Sequence, residues 1–548
     1  MKTFVSLFAL LAVAASAPPA NKTDPARLAD TVKVLSSDAF EGRSPGTPGE
    51  TKTIDWLVAQ FKAMGLSPGG PGGSWIQPVP LIHTRIDQAG TVTLKDANGK
   101  MIPLPQGSAI NLTTVRPVAH IAIADAPMVF VGYGVSAPEA KWDDFKGVDL
   151  HGKVAVFLVN DPDFSAKAGD DAAGRFGGRR MTYYGRWTYK FEEAARRGAV
   201  AALIVHDTDG AGYGWSTVSA SNGENYDIVR AADDPRVPLQ GWIEHDTASH
   251  LFAAAGLDLD GLRVKARSSA FHPVPMPLRL STNLDVSVEQ VKSANVVATI
   301  PGSKRPEETV MFGAHWDAYG KGPPDASGQT IRRGANDDGL GVAAVLELAR
   351  EFKAGPRPDR TLVFTLWTGE ERGLLGSEYY ATHPLFPLAK TAANLTLDIL
   401  QTAGPAKDVI LVGAGNSSLD ANLAAAARVQ GRTITPETFS ERGLFYRADH
   451  FSVVRKGVPS LLLMALGGAP DLAKGGKQAG QVWLDAYMAC YHKTCDAYDA
   501  SWDLRGAAQD VDLFYAMGSD LAKTGVWPTW SQGSEFTAIR TRSAAERR

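Results

Sequence analysis

The stretch 310–317, Val-Met-Phe-Gly-Ala-His-Trp-Asp, opens the segment that decides the fold. An apolar run of strand character ends there in His315 and Asp317. After a Gly/Pro loop, Gly-Ala-Asn-Asp-Asp-Gly-Leu-Gly (334–341) brings Asp337 and Asp338, followed at once by a helical pattern from Leu340 to Phe352. A second apolar run, Leu362 to Trp367, ends in Glu370 and Glu371; a third, Leu395 to Leu397, ends in Asp398. Short apolar strands alternating with helical periodicity predict an α/β fold. In an open α/β sheet, residues just past the strand ends converge on one crevice.

That convergence suits a metal. One His and several carboxylates, with few Lys or Arg among them, repel one another unless a cation neutralises them. Imidazole with carboxylate is a zinc ligand set, and a shared carboxylate makes a two-metal site. Adjacent Glu370 and Glu371 cannot easily ligate one ion from a single extended segment. The division read here puts Glu371 on a metal and Glu370 beside it as general base.

The chain resembles the di-zinc exopeptidases, a family that includes bacterial leucine aminopeptidases and glutamate carboxypeptidase II. The motifs that carry the resemblance are Gly-Ala-His-Trp-Asp (313–317), Gly-Ala-Asn-Asp-Asp-Gly-Leu-Gly (334–341), Thr-Gly-Glu-Glu (368–371), Leu-Asp (397–398) and Tyr-His (491–492). It implies a mixed, mostly parallel sheet flanked by helices, with two zinc ions per chain. His315 and Asp398 would hold one ion, Glu371 and His492 the other, and Asp337 would bridge them. Glu370 would be the general acid/base, Asp317 would orient His315, and the Asp337–Asp338 peptide would be cis. The segment Phe-Tyr-Arg-Ala-Asp-His-Phe (445–451) is similar to an Arg-Ser-Asp-His segment beside the site of relatives, Ala448 replacing the Ser. Arg447, Asp449 and His450 are thus candidates for substrate contact, against a structural ion pair with a buried His. Tyr491 could donate to a tetrahedral oxyanion or be an ordinary core Tyr. The implied substrate is a peptide. A carboxypeptidase on the same fold would need arginines for a terminal carboxylate, and Arg332 and Arg333 are candidates. A glutaminyl cyclase and a non-catalytic receptor fit less well, because the full ligand set and the Glu are present.

Outward from that core, residues 1–17 carry Lys2, an apolar run from Phe4 to Ala15, and Ala15-Ser16-Ala17, the pattern of a cleavable secretory signal rather than a membrane anchor. An exported, secreted or periplasmic protein is expected. Residues 24–119 read as the N-terminal part of the catalytic domain, with helical faces Leu28, Val32, Leu35 and Ile54, Leu57, Val58, Phe61. The loop 38–50 resembles a family segment near the site rim, so Glu41 and Arg43 would either touch substrate or tie the loop by salt bridges.

From about residue 120 short β-like runs (Met128 to Tyr133, Val154 to Val159, Val200 to Val205) suggest a smaller β-rich α/β unit at 120–275. This resembles the protease-associated insert of relatives. Its Tyr183, Tyr184 and Trp187 would line a substrate channel or pack within the insert. Pro273, Pro275 and Pro277 mark the return to the catalytic domain, 276–535, whose later elements are a strand at 409–412, helices at 419–429 and 505–524, and a strand at 460–464. The charged tail, 536–548, reads as mobile.

With 548 residues, 44% of them hydrophobic, the chain can bury more than one core. A formal net charge of −3, with no long basic run, argues against nucleic acid or an anionic membrane as partner. The sequence assigns no oligomeric state. Its only cysteines, Cys490 and Cys495, flank His492. In an oxidising compartment they would form a small-loop disulfide, the alternatives being free thiols or a third metal site.

Overall fold

The computed structural model describes residues 23–547 except Ala89 and Ala232, so the signal segment read at 1–17 lies outside it. In chain order, α1 (Pro25–Leu35) and α2 (Pro48–Ala63) precede a long strand, β1 (Ile76–Ile86). Then follow β2 (Thr91–Asp96), β3 (Ile110–Thr113), β4 (His120–Phe130), β5 (Val154–Leu158), α3 (Trp187–Arg196), β6 (Ala201–Val205), β7 (Glu224–Ile228) and β8 (Leu239–Ile243). A 27-residue strand, β9 (Val274–Ile300), leads to β10 (Arg305–His315), α4 (Gly341–Ala354), β11 (Arg360–Trp367), α5 (Leu375–Thr382) and β12 (Thr391–Leu397). The chain closes with α6 (Leu419–Val429), β13 (Ser460–Leu463), α7 (Gly476–Cys490), α8 (Arg505–Lys523) and α9 (Thr537–Arg542).

The central sheet is mixed and mostly parallel, flanked by helices. Its core runs β13-β12-β10-β11 in parallel, and β9, β1 and β7 extend it antiparallel. Strand alternation divides the apolar residues between two faces. Val310, Phe312 and Ala314 of β10 face a core built with α1, α4 and α8, while Met311 joins Val363, Trp367 and Tyr380 on the other side. Gly518 of α8 lies against Phe312, where a Cβ would collide with the ring, so the glycine lets helix and strand close up.

A second sheet holds β2, the N-terminal half of β9, β4, β5, β6, β8 and β3. Here Val154, Val156 and Leu158 serve one core, Ala155 and Phe157 the other. This unit begins earlier than the expected boundary at residue 120. Residues 91–113 belong with it, because β2 pairs with β9 and β3 with β8. Those strands are short and broken by Gly and Pro, so they carry little periodic signal. The proline cluster does not end the unit either. Pro275 pairs with Val129 inside β9, and the register shift between Met276 and Arg279 absorbs Pro277, the irregularity at which strands tolerate proline. The one strand β9 therefore runs through both sheets.

The tail expected to be mobile is docked. Arg540 of α9 is buried and donates to the carbonyls of Thr391 (3.1 Å) and Ala392 (3.4 Å), while Trp527 lies beneath the guanidinium groups of Arg360, Arg540 and Arg547. Its charge is used on backbone carbonyls rather than left in water. No helix among the described residues is long and apolar enough to cross a membrane.

Candidate metal centre

The site lies beyond the carboxyl ends of β10, β11 and β12 and is assembled by their sequence neighbours. His315 is the last residue of β10, Glu370 and Glu371 follow β11, and Asp398 follows β12. Gly369, at φ 63°, makes the left-handed turn that delivers the two glutamates. Asp337 lies in the segment Ala335–Leu340 ahead of α4, and the Asp337–Asp338 peptide is cis.

Asp337 is the centre of the arrangement. Its Oδ1 is 3.1 Å from His315 Nε2, and its Oδ2 is 3.2 Å from His492 Nε2. Glu371 Oε2 stands 3.3 Å from His492 Nε2, and Asp398 Oδ1 4.0 Å from His315 Nε2. Two groups result, His315–Asp337–Asp398 and Asp337–Glu371–His492, in each of which all donor atoms lie within 4.8 Å of one another. Glu370 touches the first group, its Oε2 3.9 Å from His315 Nε2, while its backbone N–H donates to Asp317 Oδ1 (3.1 Å). His315 Nδ1 faces the Asp317 carbonyl (3.1 Å) and carboxylate (3.5 Å).

Electrostatics without a cation are unfavourable here. Burial, with Asp398 and Glu371 close by, pushes Glu370 well above the usual carboxylate range. Burial and Asp337 do the same to Glu371, and burial raises Asp398 to about 8. Asp337 goes the other way: the two histidines that face it outweigh burial and hold it low. His315, despite burial, is raised well above its ordinary value by Glu370, Asp317 and Asp337. Asp398 Oδ1 is buried with no hydrogen-bond partner among the described residues. A buried acceptor of that kind is costly unless a proton or a cation meets it. Imidazole nitrogens with carboxylate oxygens, in two sets sharing one Asp, are donors of the type zinc takes, so the residues present fit a pair of zinc ions.

Several residues to which the sequence reading gave no ligand or catalytic role hold this geometry. Asp338 accepts from the backbone N–H groups of His315 (3.1 Å), Gly341 (3.0 Å) and Ile399 (3.4 Å), tying three segments together. Asp496 accepts from the N–H groups of Asn336 (3.0 Å) and Asp337 (3.1 Å). The Tyr319 hydroxyl is 3.1 Å from His492 Nδ1. Of these only Asp338 carries a sequence signal, its place beside Asp337 in the 334–341 motif.

The substrate candidates divide. Tyr491 and Arg447 line a cavity of about 340 Å³ together with Glu370, Glu371, His492 and Tyr319. Asp449 and His450 are buried and do not line it; burial raises Asp449 to about 7 and lowers His450 to about 3. Trp187 reaches the cavity, whereas Tyr183 and Tyr184 pack against Phe451, Tyr189 and Phe176. Arg333 is bound to Asp38 at 2.7 Å, and neither Arg332 nor Arg333 lines the cavity. Glu41 is salt-bridged to Lys52 and Lys321. Arg43 is fully buried and donates to the carbonyls of Trp316, Leu35, Arg333 and Gly334, each at 2.7 Å, so it braces the loops behind His315 and Asp337. Cys490 and Cys495 are joined by a disulfide around the His492 turn, where His492 itself has φ 62°.

Residues 295–516 match the family described as Peptidase family M28. A probable zinc metalloprotease of Pyrenophora teres f. teres is 41% identical over 110 residues, 20% of this chain and 23% of that relative. A probable lipoprotein aminopeptidase of Mycobacterium tuberculosis is 26% identical over 330 residues, 57% of this chain and 55% of that relative. The chain thus spans only part of the length of these curated relatives. Among solved structures, an aminopeptidase from Aneurinibacillus sp. strain AM-1 shares the fold at a TM-score of 0.50 and 21% identity, over 92% of this chain and 96% of its own. Every candidate ligand lies inside the segment that matches this family model.

Proposed function

We propose that the chain is an exported zinc exopeptidase that removes the N-terminal residue of peptides and carries two zinc ions. The observation that supports this most is Asp337, whose two carboxylate oxygens each face a different histidine at 3.1 and 3.2 Å. His315 and Asp398 complete one site, Glu371 and His492 the other. Zinc, when bound, supplies Lewis acidity that polarises the peptide carbonyl and makes water a nucleophile near neutral pH.

The chain's own residues do the rest. Glu370, anchored through its N–H on Asp317, takes the proton from the attacking water and returns it to the leaving amine. Tyr491 donates to the developing oxyanion from the cavity wall. Tyr319 fixes the tautomer of His492, and Asp317 that of His315. The second unit, read as a protease-associated insert, closes the cavity through Trp187 and Phe191 of α3.

The acidic cluster Glu370, Glu371 and Asp398 favours a cationic amine in the first subsite. Arg332 and Arg333, which a carboxypeptidase would direct at a terminal carboxylate, stand outside the cavity. A short peptide should therefore be trimmed from its N-terminus. N-acetylation should abolish cleavage and C-terminal amidation should not prevent it; cleavage of the acetylated peptide with sparing of the amidated one would show the opposite direction.

A further inference from the structure

The cavity beside the metal ligands is rich in arginine, and most of that charge is already matched. Arg230 pairs with Asp227 (2.8 Å) and Glu378 (3.4 Å), Arg236 with Asp227 (3.1 Å), and Arg455 with Glu192 (2.9 Å) and Glu378 (3.6 Å). Those contacts use up the cavity's acids away from the metal centre. Arg372 lies over the rings of Tyr226 (5.0 Å) and Tyr319 (5.3 Å). Two arginines are left: Arg186, just ahead of α3 in the second unit, and Arg447 in the catalytic unit. Neither has an ion pair with a carboxylate among the described residues.

Arg186 is the more telling of the two. It is only 8% exposed, and its Nε is buried with no hydrogen-bond partner. Burial, with Arg447 nearby, lowers its pKa to about 10. A buried guanidinium with a free donor, beside a second cation, is a costly arrangement unless an anion meets both. The metal centre does not supply that anion. Asp337, Asp398 and Glu371 are committed to the metal sites and Glu370 to the attacking water, leaving the two arginines without a carboxylate partner. Both also line a second cavity of about 320 Å³, with Asn225, Gln240 and Tyr213, so they stand where it meets the first.

We propose that Arg186 and Arg447 form a carboxylate-binding subsite, shared between the two units and opening on the metal-site cavity. Planar guanidinium groups match a carboxylate through paired N–H donors, the geometry for which arginine is suited. The ligand class is a substrate carboxylate, from either the C-terminus of a very short peptide or an acidic side chain. That this carboxylate belongs to a substrate rests on the exopeptidase reading; the anion site itself does not.

The test is equilibrium binding, independent of turnover. Leu-Gly whose peptide carbonyl is reduced to a methylene cannot be hydrolysed, and calorimetric titration into zinc-supplemented protein compares its free acid with its carboxamide. A parallel pair, reduced Leu-Asp amide and reduced Leu-Asn amide, asks the same of a side-chain carboxylate. In at least one arm the acid should bind about tenfold tighter or more, as expected for charge-assisted hydrogen bonds. Arg186→Gln and Arg447→Gln should each bring that ratio below about threefold, with Arg186→Lys retaining part of it. The ratio is read within one protein, so a general loss of affinity does not disturb it. Equal binding of acid and neutral partner in both arms by the wild type overturns the proposal without recourse to any variant, as does a ratio that survives both Gln substitutions. If the ratio holds while neither Leu-Gly nor its amide is cleaved, the subsite stands and the peptidase reading falls. If both are cleaved with no ratio, only the subsite falls.

Discussion

Glu370 is the residue whose role is most sharply separable from its neighbours. Glu370→Gln keeps shape and hydrogen-bonding reach but cannot accept a proton from water. The variant should bind metal as the wild type does and lose about 10² to 10⁴ in turnover; near wild-type turnover with full metal would move the base to another group. Tyr319 gives a second test at this scale. Its hydroxyl meets His492 Nδ1 across 173 residues of sequence. Tyr319→Phe should loosen metal at the Glu371–His492 site by about 10 to 100-fold in chelator competition, leaving the His315–Asp398 site unchanged. Of the candidate ligands, His315, Asp337, Glu371 and Asp398 were legible in the sequence because each ends or follows an apolar strand or opens a helix. His492, just past α7, entered only through the family resemblance. Tyr319, Asp496 and Arg186 were not legible, since what defines them is a partner brought close only by folding.

Among the elements, the turn that carries His492 depends on the Cys490–Cys495 link. Closing a loop this small is worth about 2 kcal/mol through restriction of the unfolded chain. Cys490→Ser with Cys495→Ser should lower the thermal midpoint by a few degrees and weaken metal binding at His492. An unchanged melt, with no response of the wild type to reductant, would show that the link does not stabilise the turn. Strong periodicity made α1, α4, α6 and α8 readable, along with the buried strands β10 to β12. The short strands β2 and β3 were missed because they gain their identity from pairing with β9 and β8. The tail was misjudged for a related reason: its arginines look solvated until the carbonyls of Thr391 and Ala392 come within reach.

For the molecule as a whole, β9 joins the two sheets as a single strand, so the second unit is placed over the metal site by backbone pairing rather than by a flexible linker. The cavity draws its wall from both units, and the catalytic segment supplies every candidate ligand. The α/β class followed from the alternation of strands and helices; the extent of the second unit did not, because no composition shift marks residue 91. As proposed above, one carboxylate, Asp337, organises two zinc sites. Elemental analysis of the purified, zinc-saturated protein tests it most directly, on wild type, His492→Ala and Asp337→Ala side by side. Two tightly held zinc ions per chain in the wild type, one in His492→Ala and fewer than one in Asp337→Ala are predicted. A wild type that is fully active with a single tightly bound ion, or an Asp337→Ala variant that still holds two, would contradict it.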